Sequence, residues 1–315
     1  MLKYIVIELC KTSTSYCHYN NDCHEPELIG LDNLKAAIIF AMKQNLNIQF
    51  VYPDYQLPPE YDEVIDSIDH IKIKSSRAVD YGDADILVIN GLKAANDFLW
   101  TPDYVHILRI SKSELFELAE LFEKIKFKIA RLNVVLTDVE SVSDVDFSVY
   151  KEVLQKIKKS VQEILTENED IQINILSDRI VLDKMNNCNA GYESITVAPN
   201  GKFYICPAFY HENYEDSCGD LVSGLEIKNS QLYRIDHAPI CRHCDAYQCK
   251  RCVWLNRKMT LEVNTPSRQQ CVISHLERNV SRDIIEALKE HGYEILQDIP
   301  RVDYLDPFEV RTNWQ

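Results

Sequence analysis

An array of seven cysteines, Cys188, Cys206, Cys241, Cys244, Cys249, Cys252 and Cys271, constrains this chain more than any other feature. Twelve residues separate Cys188 from the stretch Gly201-Lys-Phe-Tyr-Ile-Cys206, and a second arm runs Cys241-x2-Cys244-x4-Cys249-x2-Cys252 ahead of Cys271. A Cys-x2-Cys turn presents two thiolates from one tight loop, which lets sulfur converge on iron or zinc. Zinc ribbons separate their two knuckles by roughly 15–20 residues so that two hairpins clasp one ion. Here only four residues intervene, and seven thiols exceed one tetrahedral site and nearly fill two four-ligand centres. Buried, unligated thiols are the bland alternative, but chance burial does not produce two x2 spacings within twelve residues. The spacing points to iron–sulfur clusters.

This order of cysteines resembles the SPASM domain, the C-terminal auxiliary-cluster module of peptide-modifying radical S-adenosylmethionine enzymes, whose second arm is spaced slightly wider. The resemblance implies two auxiliary [4Fe-4S] clusters. Carried over by position, Cys241, Cys244, Cys249 and Cys271 would hold one, and Cys188, Cys206 and Cys252 the other. Relatives often supply a fourth cysteine for the second set just upstream of the first arm, and Leu182-Asp-Lys-Met-Asn-Asn187 has none. Cys218, in Asp216-Ser-Cys-Gly-Asp220, is the local candidate for that place. An ordinary loop thiol, or an open iron that could take a substrate thiolate, are the alternatives.

With 315 residues, 46% of them hydrophobic, the chain can bury a sizeable core, and its length suggests one large and one smaller domain. Met1-Leu-Lys-Tyr-Ile-Val-Ile-Glu-Leu-Cys10 has neither an apolar signal core nor a small-residue cleavage site. No window approaches the roughly 18 apolar residues of a membrane span. The expectation is a cytoplasmic protein with no membrane partner, in a reducing compartment where clustered cysteines mean metal or catalysis rather than disulfides. A net charge of −15 argues against a nucleic-acid partner, because phosphate binding runs on surplus Lys and Arg.

Up to about residue 180, short apolar runs alternate with amphipathic stretches, the signature of parallel β/α units. Strands are expected at residues 3–9, 48–52, 70–74, 85–89, 104–110, 129–136 and 171–176. Helices are expected at about 31–45, 113–126 and 147–166. In the first of these, Leu34, Ile38, Met42 and Leu46 mark the buried face, and Asp32 is the expected cap. A hairpin should join residues 194–198 to 202–205 through Pro199-Asn-Gly201, since Asn-Gly is a strong turn pair. A last helix over about 272–291 precedes a polar tail.

Radical S-adenosylmethionine enzymes carry Cys-x3-Cys-x2-Cys in the loop after the first barrel strand, leaving one iron free to chelate the cofactor. The corresponding loop here reads Cys10-Lys-Thr-Ser-Thr14-Ser-Tyr-Cys17, with Thr14 in the middle place. A hydroxyl is a poor replacement for thiolate on iron. The family's Gly-Gly-Glu-Pro-like turn after the second strand is likewise replaced by Phe50-Val-Tyr-Pro-Asp54, without the glycines that permit close backbone approach. Both departures argue against S-adenosylmethionine as a cofactor. Cys23 rescuing the cluster, another metal held by Cys10, Cys17 and Cys23 with His18 or His24, and ordinary loop thiols are the three alternatives for this loop.

Ser15-Tyr-Cys-His-Tyr19 and Ile48-Gln-Phe-Val-Tyr-Pro-Asp-Tyr55, with the cysteine array, are similar to the CXXX-repeat peptide maturases, over residues 1 to about 290. These resemblances imply an α/β fold: a partial (β/α) barrel of radical S-adenosylmethionine type over 1–182, then a small cysteine-rich SPASM-like iron–sulfur domain with a C-terminal helix over 183–315. They imply a place in the maturation of ribosomally made peptides (RiPPs), with a cysteine-rich precursor peptide as partner and a true radical enzyme as a second one. Three functions remain open. One is a non-catalytic partner whose clusters bind peptide or relay electrons. The others are an active radical enzyme cross-linking at cysteine and a stand-alone iron–sulfur carrier. No Gly-rich phosphate loop and no His-Glu-x2-His pair is present. Cys17-His18 makes a poor hydrolase pair, since catalytic partners are usually brought together by the fold rather than by adjacency. Tyr204, Phe209, Tyr210 and Tyr214 are read either as a peptide groove or as an apolar shell around a cluster.

Overall fold

The computed structural model describes residues 2–167, 171–182, 184–290 and 292, so the expected polar tail lies outside the described residues. Strands β1 (Tyr4–Glu8), β2 (Asn47–Val51), β3 (Ile71–Ser75), β4 (Ile86–Asn90), β5 (Val105–Ile110), β6 (Arg131–Leu136) and β7 (Gln172–Ile173) form where β-branched runs put them. Between them stand α1 (Leu31–Gln44), α2 (Pro59–Ile65), α3 (Gly91–Asp97), α4 (Leu115–Ile125) and α5 (Asp144–Thr166), and α6 (Asp178–Val181) follows β7. The chain continues through β8 (Ser194–Val197), β9 (Phe203–Tyr204), α7 (Pro207–Glu212), β10 (Gly219–Asp220), β11 (Gly224–Leu225), α8 (Val253–Thr260) and α9 (Arg268–Glu290). The mostly parallel nine-stranded sheet has the order β7-β6-β5-β4-β3-β2-β1-β8-β9, and β10 and β11 form a separate two-stranded ribbon. This is the expected α/β class.

The chain divides into two compact units. The first contains Met1–Ile89, Tyr104–Ile107 and Cys188–Arg234, and the second contains Asn90–Asp103, Leu108–Asn187 and Ile235–Gln315. In the first unit β1 pairs in parallel with both β2 and β8, setting Val6 opposite Gln49 and Thr196. Residues opposite one another share a face of the sheet, so Val6, Glu8, Gln49, Val51 and Thr196 line one side and Ile5, Ile7, Ile48 and Phe50 the other.

Two expectations for α1 need correcting. The helix buries Leu34, Ala37, Ile38 and Ala41, whereas Met42 is 64% exposed. Eight residues at 3.6 per turn carry Met42 about 80° round from Leu34, off the buried stripe. Asp32 is not the cap: Gly30 occupies that place, and Asp32 sits in the first turn, where its charge faces the positive end of the helix dipole.

The hairpin forms as expected, with β8 antiparallel to β9. Gly201 takes the left-handed conformation at φ +75°, and its N–H donates to the Ala198 carbonyl at 2.9 Å. Strand β7 is shorter than expected. Ser177 Oγ accepts the Ile173 N–H at 2.8 Å and donates to the Ile171 carbonyl at 2.6 Å. Asn174 bonds both the N–H and the carbonyl of Val134 through its side-chain amide, so side chains replace the next rungs of the ladder.

In the second unit α5 packs against both α4 and α9. Phe147, Tyr150, Val153, Leu154, Ile157, Val161 and Ile164 recur at helical spacing on its buried side. The Asp146 carboxylate closes its first turn by accepting the Ser143 N–H at 2.8 Å and hydroxyl at 2.6 Å. Helices α2, α3, α7 and α8 have eight residues or fewer, too short to show a period in the sequence.

Candidate metal centre

Four of the array's cysteines come together in the second unit. Cys241, Cys244, Cys249 and Cys271 line one cavity with Met185, Ile240 and His275, and the space between the atoms is ≈ 380 Å³, open solvent included. Cys241 opens a single tight turn, Cys241–His243, and is 6% exposed. Cys244 follows that turn, and its sulfur accepts the Ala246 N–H at 3.4 Å. Cys249 follows Gln248, which is held left-handed at φ 55°, and accepts the Arg251 N–H at 3.4 Å and the Asn187 side-chain amide at 3.9 Å. Cys271 sits in the first turn of α9, which begins at Arg268 rather than after the cysteine.

Burial pushes the Cys241 thiol up to about 12, and the nearby Cys249 and Cys244 sulfurs add to the rise while Arg251 opposes it. Thiols that raise one another's values do not all ionise without cationic compensation, which a metal would supply. None of the eleven cysteines is in a disulfide. Among the described residues, no three His, Cys, Asp or Glu side chains gather closely enough to hold a single ion. A [4Fe-4S] cube asks for a wider spacing, with one thiolate at each of four irons. Four sulfurs around one cavity, two of them receiving backbone N–H groups, are the donor set that such a cube takes.

The rest of the array is divided between the units. Cys252 lies in the second, as the residue preceding α8. Cys188 and Cys206 lie in the first, with Cys206 preceding α7 and Cys188 exposed. Cys218 is also in the first unit; its N–H donates to the Phe203 carbonyl at 2.7 Å, and burial pushes its thiol up to about 12. Sequence reasoning did not connect Cys17 with this arm. Burial drives the Tyr16 hydroxyl well above the ordinary phenol value, and Cys17, Cys206, Glu8 and Cys188 add to the rise. Those three sulfurs therefore lie within electrostatic reach of one phenol, beside the Glu8–His211 pair at 3.0 Å and the His211 ring stacked on Tyr19. Tyr204, Phe209 and Tyr210 are buried and Tyr214 is exposed, so the first three act as packing rather than as an open groove.

The loop after β1 is pinned along its length. Cys10 is fully buried, and its sulfur lies 3.2 Å from both Thr12 Oγ1 and the Tyr55 hydroxyl. Ser13 Oγ donates to the Val51 carbonyl at 2.8 Å, and the Thr14 N–H donates to the Tyr52 carbonyl at 3.1 Å. Cys23 Sγ points at the Glu25 carbonyl of its own loop, 3.6 Å away. Thr14, the residue that departs from the family's motif, is thus buried, with its backbone bonded to the residue that follows β2.

His275 is the site residue that sequence reasoning missed. It stands four positions after Cys271 on α9, a separation that places both on one helix face. Its Nε2 is 3.7 Å from Cys244 Sγ. The Cys271-x3-His275 spacing was the available signal.

No protein-family model matches the chain, and no curated protein matches it either. No helix among the described residues is long and apolar enough to cross a membrane. Solved structures do match. Native anSMEcpe with bound AdoMet and Cp18Cys peptide aligns over 92% of this chain and 100% of its own, at TM-score 0.63 and 11% identity. Native anSMEcpe with bound AdoMet and Kp18Cys peptide aligns over 92% and 99%, at TM-score 0.63 and 10% identity. At that identity the likeness concerns the path of the backbone: the chain has the fold of anSMEcpe, consistent with the radical S-adenosylmethionine and SPASM resemblance of its sequence.

Proposed function

We propose that the chain is an iron–sulfur protein of a ribosomal-peptide maturation system, which binds a cysteine-rich precursor peptide and relays electrons without splitting S-adenosylmethionine itself. The observation that carries the reading is the convergence of Cys241, Cys244, Cys249 and Cys271 on one cavity. Peptide as partner is supported by the fold shared with anSMEcpe, whose solved structures hold peptides. The non-catalytic role is supported by Thr14 in the place of a cluster ligand and by the hydrogen bonds that tie Cys10 to Thr12 and Tyr55. On this reading Cys188, Cys206 and Cys252, with Cys218 or a substrate thiolate, belong to the second cluster, and the division at residues 182 and 183 separates barrel from auxiliary module.

A second reading, an active radical enzyme, is favoured by the bound AdoMet of the same neighbours. Anaerobic reconstitution separates the two. About eight irons per chain, with no 5′-deoxyadenosine released from S-adenosylmethionine and dithionite, supports the proposal. About twelve irons with turnover of the cofactor supports the second reading, and zinc alone overturns both. Binding to a cysteine-rich precursor peptide distinguishes a maturation partner from a stand-alone carrier, which would show none.

A further inference from the structure

We propose that His275 sets the reduction potential of the cluster in the four-cysteine cavity by donating its Nε2–H to the sulfur of Cys244. The inference rests on the iron–sulfur reading above and goes beyond the ligand set. Counting thiols and imidazoles alone, the cavity offers five donors, four cysteine sulfurs and one ring nitrogen. Four thiolates satisfy the four irons of a cube, so the fifth donor is surplus as a ligand. His275 is buried at 7% exposure, one helical turn from Cys271, with Nε2 3.7 Å from a sulfur that already accepts the Ala246 N–H. A ring facing a sulfur committed to iron interacts with it by donating hydrogen. Cys249 also receives two N–H groups, from Arg251 and Asn187, but no ring.

An N–H donated to a ligating sulfur draws charge from it. Reduction adds negative charge to the cluster, so the bond stabilises the reduced state more than the oxidised one and raises the potential. Removing the donor should lower it.

The test uses the full chain, reconstituted anaerobically, as wild type, His275→Phe and His275→Gln. Iron and sulfide content is measured first, then the midpoint potential by redox titration followed by electron paramagnetic resonance. Cys244→Ser, which changes a ligand atom, identifies the signal belonging to this cluster. Both histidine variants should retain wild-type iron. In His275→Phe the reduced-to-oxidised ratio at fixed potential should fall at least tenfold, about 59 mV for one electron. Glutamine keeps an N–H at similar reach and should recover most of that loss. An unchanged potential in His275→Phe would reduce His275 to packing and overturn the proposal. Loss of about four irons in that variant would make His275 a ligand and overturn it differently. Wild-type protein that takes up no iron would remove the iron–sulfur reading itself, an outcome distinct from the other two.

Discussion

Glu277→Ala should unfasten the loop that carries Cys249. Glu277 lies on α9 with its side chain fully buried, and one oxygen accepts the Tyr150 hydroxyl at 2.7 Å and faces Lys250 Nζ at 3.2 Å. The other accepts from the Arg179 guanidinium at 2.5 Å, and Arg179 is also 0% exposed. Arg179 in turn donates to the carbonyls of Asn174 and Gln248 at 2.8 and 2.9 Å. One carboxylate thus ties α5, α6 and α9 to residues 248–250. Alanine there leaves two buried cations without their acid. Breaking a buried pair from one side costs about 3–5 kcal/mol. The two carbonyls that Arg179 retains soften the loss, which puts the expected cost at about 4 kcal/mol, against a total stability of about 5–15 kcal/mol for an ordinary domain. At about 2–4 °C per kcal/mol for a domain of this size, the melting temperature should fall by about 8–16 °C.

Urea unfolding of the reduced, metal-free protein, followed by circular dichroism, measures the cost of that substitution. The double variant Arg179→Met, Glu277→Leu exchanges the pair for apolar groups and should recover about half of the loss or more, since such exchanges are often neutral or stabilising. A cost below about 1 kcal/mol for Glu277→Ala would refute the reasoning, because exposed pairs give values of that size. A double variant less stable than the single one would refute it as well.

Cys244→Ala should lose about four irons on reconstitution and melt earlier than wild type, since metal-binding free energy enters folding; iron analysis and calorimetry check both. Gly201→Ala should cost about 1–2 kcal/mol in thermal unfolding, because a side chain at φ +75° is strained and its Cβ would meet Asn33 Nδ2 at 2.7 Å. Asp146→Ala should cost about 1 kcal/mol by opening the first turn of α5. The bonds from Ser143, first its hydroxyl and then its N–H, hold the Asp146 carboxyl below its ordinary value of 3.8. A depressed native value means the contribution is present above the unfolded value and disappears as pH falls through the native one. The stability gap between wild type and Asp146→Ala should therefore narrow below pH 3.8, as read by denaturant unfolding at neutral and acid pH.

The strands were legible because β-branched runs such as Tyr4-Ile-Val-Ile carry their own signal, and α5 because its apolar residues repeat over 23 positions. Strand β7 was overread, since nothing in the run Ile171-Gln-Ile-Asn-Ile-Leu176 reveals that Ser177 and Asn174 take over its hydrogen bonds. Met42 was misplaced because a strict four-residue step drifts off a 3.6-residue period. At the site, local spacing exposed the sulfurs of the second arm, whose contacts are close in sequence. His275 went unnoticed because the last helix was read as starting at Val272, which hid its one-turn relation to Cys271. That Cys17, Cys188 and Cys206 all act on the Tyr16 hydroxyl depends on the pairing of β1 with β8, which no local pattern records.

The clamp around Glu277 has a consequence for biosynthesis. Its members, Tyr150, Arg179, Lys250 and Glu277, are spread over 127 positions, with the acid arriving last. While the ribosome is still delivering α9, Arg179 lacks its counter-ion, and Cys271 has not yet joined the other three sulfurs. On the proposed iron–sulfur reading, iron insertion at this cavity must therefore wait until α9 has been made, and a scaffold delivering metal would meet all four sulfurs together rather than the first three alone.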